Sequence, residues 1–228
     1  MSKIDSSIAE VHNHLNPRLW TNKEIIPEVQ AALLRIAKEF YEFLDFEVPL
    51  KDIQITGSQA NYNYTKFSDL DLHLIVPYNG VSCDEPVEDL FDTKRKLWKA
   101  RHTITIHGIP VEVYVEDVDT ANHKATYSIL TNKWLNPPTK EQGAQWDQKS
   151  IVRDMTVWLE RMLTLVEKRD IEKLEEFKDQ LKHFRQAGLN RSGEWSQENL
   201  VYKALRNLGA INLLLKTIVH LKDQDLSI

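Results

Sequence analysis

Ile53-Gln54-Ile55-Thr56-Gly57-Ser58 and, after ten further residues, Asp69-Leu70-Asp71-Leu72-His73-Leu74-Ile75-Val76 form the stretch on which the fold turns. Both apolar runs have the composition of strands, and a Gly-Ser turn follows the first. A strand repeats every two residues, so Asp69, Asp71 and His73 project to one face and the leucines to the other. Two carboxylates on one sheet face make a cation site. Mg²⁺ suits them, because it takes hard oxygen ligands and needs only one or two protein carboxylates when water and phosphate fill its other positions. Glycine lets a backbone approach a phosphate closely, and a helix start after the turn would leave N–H donors unpaired. An acidic, solvated strand face would show the same Asp-Leu-Asp-Leu alternation, so the pair gains meaning only from the turn before it and from a third acid later.

That third acid comes from a predicted hairpin. Thr103 to His107 and Val111 to Val115 alternate, with Gly108-Ile109-Pro110 between them, and the second run puts its valines on one side and Glu112, Tyr114 and Glu116 on the other. Parity does not choose between Glu112 and Glu116. Glu112 lies between Val111 and Val113, where packing fixes a side chain, whereas Glu116 stands where the strand gives way to a polar loop.

Around this centre the chain reads as helices. Ile26, Val29, Leu33, Ile36, Phe40 and Leu44 predict an amphipathic helix from Lys23 to Phe46, with Asn22 as its cap and Pro27 in its first turn. A shorter helix is expected over Ser6 to Leu15. Another is expected from Glu85 to Ala100, capped by Asp84, with Lys94, Arg95, Lys96, Lys99 and Arg101 crowding its C-terminal half, where cations complement the helix dipole. Residues 117 to 149 read as irregular, with Tyr127 to Trp134 able to fold back on the sheet. Three helices follow: one over Ile151 to Leu165, one over Ile171 to Phe184 with Gly188 just past its end, and one from Gln197 to Leu221 capped by Ser196. On the last, Val201, Ala204, Leu205 and Leu208 make an apolar stripe opposite Asn199, Lys203 and Arg206.

Gly57-Ser58 followed by Ser68-Asp69-Leu70-Asp71-Leu72 resembles the signature of the DNA polymerase β-like nucleotidyltransferase superfamily. The resemblance covers about residues 52 to 117, and the whole chain is similar to uncharacterised bacteriophage-encoded nucleotidyltransferases. It implies two Mg²⁺ ions, replaceable by Mn²⁺, on Asp69, Asp71 and Glu112, although the family more often has Asp at the third position. It implies nucleoside triphosphate contacts from Gly57, Ser58 and Lys66, and from Lys203 and Arg206 on a helical domain that closes the cleft. The expected reaction moves a nucleoside monophosphate, most simply AMP, from ATP or another triphosphate to a hydroxyl with release of pyrophosphate. An RNA 3′ end, a protein, a small molecule or a second nucleotide are the candidate acceptors. A non-catalytic member that binds a nucleotide or a protein is the reading of another class.

The expected architecture is therefore α+β: a small mixed or antiparallel sheet with helices on one face in residues 1–140, and a helical bundle in 141–228. At 228 residues there is enough chain for either half to bury a core. A net charge of −5 argues against a broad surface for long nucleic acid but leaves room for a short RNA end. No apolar run reaches the roughly eighteen residues of a membrane span, and the first residues lack a signal-peptide layout. With Cys83 the sole cysteine, the chain is expected in the reducing cytoplasm. Zinc-finger spacing, a phosphate-binding G-x-x-x-x-G-K-[ST] loop and a G-x-S-x-G elbow are all missing from the sequence.

Overall fold

The computed structural model describes residues 10–81, 86–140 and 146–227. Within them, the expected helix over Ser6 to Leu15 and the caps before Glu85 fall largely outside the description, and residues 10–15 are not helical. The described chain divides into two compact units, 11–142 and 143–228, and Glu10 groups with the second rather than the first. Among the described residues no helix is long and apolar enough to cross a membrane.

The first unit is built on a six-stranded mixed sheet. Its middle strand is β4, Leu70–Val76, counted after the short strands β1, Trp20–Thr21, and β2, Glu24–Ile25, and after β3, Asp52–Thr56. Alternation does what the sequence requires: Leu70, Leu72, Leu74 and Val76 are wholly buried on one face. β3 pairs antiparallel with β4, and β6, Ile109–Asp117, pairs parallel with it on the other side. A parallel neighbour needs a crossover. Helix α2, Val87–Arg101, and the two-residue strand β5, Thr105–Ile106, supply it. β7, Thr126–Ser128, and β8, Lys133–Asn136, extend the β3 side, giving the order β5-β6-β4-β3-β7-β8.

Helix α1, Pro27–Leu44, and α2 share the leucine-side core through Leu33, Phe40, Leu44, Phe91 and Trp98. Fully burying one such side chain is worth about 1.5–3 kcal/mol, so this layer fixes which face of the sheet is left for chemistry. The expectation of a mixed sheet with helices on one face is met in this unit.

Several local expectations are corrected. Asn22 is no helix cap: Asn22 and Lys23 have φ of 52° and 67° and form the two-residue turn joining β1 to β2, so α1 begins only at Pro27. In the β5–β6 hairpin the turn is His107-Gly108, both at positive φ, and Ile109 and Pro110 already belong to the strand. Within the segment read as irregular, residues 126–136 make two strands that fold back on the β3 side of the sheet, as Tyr127 to Trp134 allowed, with Trp134 stacked on Trp20 at 4.9 Å. Helix α2 starts at Val87 with Pro86 before it, and Asp84 lies outside the described residues.

The second unit contains α3, Gln148–Lys168, α4, Ile171–Ser192, α5, Gln197–Asn207, and α6, Ala210–Leu226, around Met155, Met162, Leu174, Phe177, Leu200, Leu205, Leu214 and Ile218. The expected single helix over 197–221 is two, because Gly209 at φ 78° breaks the hydrogen-bond ladder. Leu208 at that break is exposed instead of lying in the apolar stripe. Gly188 does not end α4. It is buried four residues before the helix end, where a Cβ would come 2.6 Å from Glu198 Cβ. It is glycine so that the α5 side of the bundle can approach.

Candidate functional site

Register assembles the polar face. Asp71 is the direct partner of Thr56 on β3 and of Glu112 on β6, and His73 is the partner of Gln54 and Tyr114. Glu112, expected as the third acid, therefore stands beside Asp71, whereas Glu116 lies opposite Ile75, further along the strand.

The Gly-Ser turn is locked beneath this pair. Gly57 has φ 70° and ψ −158°, a conformation open essentially to glycine alone. A Cβ there would sit 2.1 Å from Asp71 Oδ2, so the carboxylate occupies the space that glycine leaves. Ser58 opens a single 3₁₀ turn, Ser58–Ala60. The helix start expected after Gly57 is thus too short to bring a dipole, and any anion contact would rest on the turn's own N–H groups. Gln59, a residue with no motif to mark it, anchors the turn from inside. Its side chain accepts from Asn16 Nδ2 at 2.9 Å and donates to the Ser68 carbonyl at 3.2 Å, while Trp20 Nε1 donates to its backbone carbonyl at 2.8 Å.

Asp69 immediately precedes β4 and is half-buried. Burial pushes the Tyr114 phenol up, and the negative charges of Asp71, Glu112 and Asp69 push it further, so the acids share one neighbourhood. Tyr114 donates to Glu112 Oε2 at 2.7 Å, and the Lys99 ammonium bonds the other oxygen. Burial opposes ionisation of Glu112, but these two partners overcome it and hold its carboxyl below the usual range. Arg95 lies 5.0 Å over the Tyr114 ring while bonded to Asp92 at 2.6 Å. Two of the cations read as dipole partners on α2 therefore reach the acidic face, where they line a cavity with Glu112, Trp98 and His102.

Lys66 is exposed on the loop after the turn, 5.1 Å over the Phe67 ring. Lys203 and Arg206 belong to the other unit, where Lys203 bonds Glu194 at 2.7 Å and Arg206 is exposed. Asn199, expected to share their open face, is buried and held by Arg185 and the Glu194 carbonyl.

Further along the same face, His73 stands 3.0 Å through Nε2 from Thr56 Oγ1 and 2.9 Å through Nδ1 from Glu116 Oε2. His123, in the loop after β6, puts its Nε2 2.7 Å from the same oxygen. Among the described residues, these three are the group whose ligand atoms all lie within 4.8 Å of one another, and Asp69, Asp71 and Glu112 do not form such a group.

No protein-family model, curated protein or solved structure matches this chain. Asp71 over its glycine cradle and Glu112 beside it offer hard oxygen donors, a set that fits Mg²⁺ or Mn²⁺, with Lys99 as the competing cation on Glu112.

Proposed function

We propose that the chain is a metal-dependent nucleotidyltransferase that moves a nucleoside monophosphate, in the simplest case AMP, from a nucleoside triphosphate to a hydroxyl acceptor. The observation that carries this reading is the register that places Asp71 between Thr56 and Glu112, with its carboxylate seated over Gly57. A plain acidic strand needs neither the glycine cradle nor the third acid on the adjoining strand.

In this reading Asp69, Asp71 and Glu112 hold Mg²⁺, which when bound lowers the pKa of the attacking hydroxyl and offsets charge on the departing pyrophosphate. The acceptor oxygen forms a bond to the α-phosphorus as the bond from that phosphorus to the pyrophosphate oxygen breaks. Backbone N–H groups of the Gly57-Ser58 turn orient the phosphates. Arg95 and Lys99 add positive charge at the rim, and Lys66 is an outlying candidate for the same task. With net charge −5, a short acceptor such as an RNA 3′ end fits better than long nucleic acid.

Incubating the protein with each α-labelled nucleoside triphosphate, Mg²⁺ and separate pools of RNA, protein and small metabolites tests this directly. Label is expected in one pool, and Asp71→Asn or Glu112→Gln is expected to abolish its appearance while the circular dichroism spectrum is retained. Nucleotide binding without any label transfer would favour the binding-only reading.

A further inference from the structure

We propose that His73, Glu116 and His123 form a second metal site, for one transition-metal ion of the Zn²⁺ class. Its donor set differs in kind from that of the acids. Two imidazole nitrogens with one carboxylate select Zn²⁺, Co²⁺ and their neighbours, whereas Mg²⁺ takes oxygen donors.

The three side chains come from β4, from β6 and from the loop after β6, and each is fixed before any ion arrives. His73 is buried and stacked on Tyr114, with ring centroids 4.8 Å apart and planes 21° from parallel. Glu116 belongs to the parallel ladder with β4. The loop that carries His123 is pinned at that residue, whose carbonyl accepts from Asn136 Nδ2 at 3.0 Å and from Thr126 Oγ1 at 3.3 Å.

The spacing also suits an ion. Glu116 Oε2 lies 2.9 Å from His73 Nδ1 and 2.7 Å from His123 Nε2. A tetrahedral ion with bonds of roughly 2.0 Å needs neighbouring ligand atoms about 3.3 Å apart, so these two contacts open by well under an ångström, while the two ring nitrogens, within 4.8 Å of each other, close on the ion. His73 binds through Nδ1, and its Nε2–H then donates to Thr56 Oγ1 3.0 Å away, the outer hydrogen bond that orients ligating histidines and fixes their tautomer.

Three protein ligands leave a coordination position free, and the His123 side chain is 30% exposed, so solvent reaches the site at that residue. Structural zinc sites are closed by four protein ligands, and this one is of the open kind. It stands two residues along β4 from Asp71, on the same face.

The test uses the full chain stripped with a chelator and titrated with Co²⁺, followed through its visible absorption, and then with Zn²⁺ as competitor. One equivalent of Co²⁺ is expected to give visible bands that Zn²⁺ abolishes. His123→Gln, in a loop where it leaves the core intact, is expected to weaken binding at least a hundredfold. Glu116→Gln is the second ligand variant should the first not fold. Thr56→Val, which removes only the outer hydrogen bond, is expected to cost about ten- to a hundredfold. Asp71→Asn should leave the titration unchanged. The proposal is overturned if no stoichiometric Co²⁺ binds, or if Asp71→Asn abolishes binding while His123→Gln keeps it, which assigns the ion to the acids.

Discussion

Gly57→Ala asks more of the backbone than any other single methyl in the first unit. The residue would have to hold a conformation reserved for glycine and place its Cβ 2.1 Å from Asp71 Oδ2. A cost of about 1–3 kcal/mol is expected from the backbone alone, read as a lower urea midpoint, together with loss of label transfer because the carboxylate must swing away. Glu116 supplies a pH dependence. Burial would raise its carboxyl, but hydrogen bonds from His73 and His123 outweigh that and draw it down to about 2 from an ordinary 4.5. A folded-state value below the unfolded one stabilises the protein above about pH 4.5, and the gain is lost as pH falls toward 2. Urea midpoints in chelator-treated protein should therefore decline over that interval, and Glu116→Gln should decline less steeply. Period-two parity put Asp69 and Asp71 on one face, and the valines flanking Glu112 singled it out from Glu116; the register then sets Glu112 beside Asp71. Parity could not find His123, which sits in an irregular loop, nor Gln59, whose importance comes from partners far away in the chain.

Among the elements, the helices were legible wherever an apolar stripe marked them, and their ends were not. Gly188 looked like a helix stop because glycine favours that position, yet α4 carries on to Ser192 and the glycine serves a close helix contact. Gly188→Ala separates the two roles. In an open helix the change should stabilise by about 1 kcal/mol. Here the new Cβ would meet Glu198 Cβ at 2.6 Å and Ser196 Oγ at 2.8 Å, so a net loss of about 1–3 kcal/mol is expected in chemical denaturation. β7 and β8 were legible only as a segment, Tyr127 to Trp134, able to fold back on the sheet, because three- and four-residue strands are too short to show alternation and their placement depends on β3 offering an edge.

Across the whole molecule, the two units have separate cores. The cations expected to contribute from the helical unit are not equivalent, since Lys203 is bound to Glu194 within that unit and Arg206 is exposed. Arg206→Ala is expected to lower apparent nucleotide affinity about tenfold, the effect of losing one charge-assisted contact of about 1.5 kcal/mol. Lys203→Ala should act on stability first. Unchanged affinity of Arg206→Ala at low salt would return that residue to solvated surface. The division near residue 140 was readable from the shift from alternating to helical patterning, whereas the grouping of Glu10 with the far end of the chain carries no local signal. The parallel pairing of β4 with β6 has a consequence for synthesis. Asp71 leaves the ribosome well before Glu112, and the two become neighbours only when the crossover that contains α2 has closed, a non-local contact of the slow kind in folding. A half-made chain thus holds Asp69 and Asp71 without Glu112, and the third acid joins them only when β6 pairs with β4.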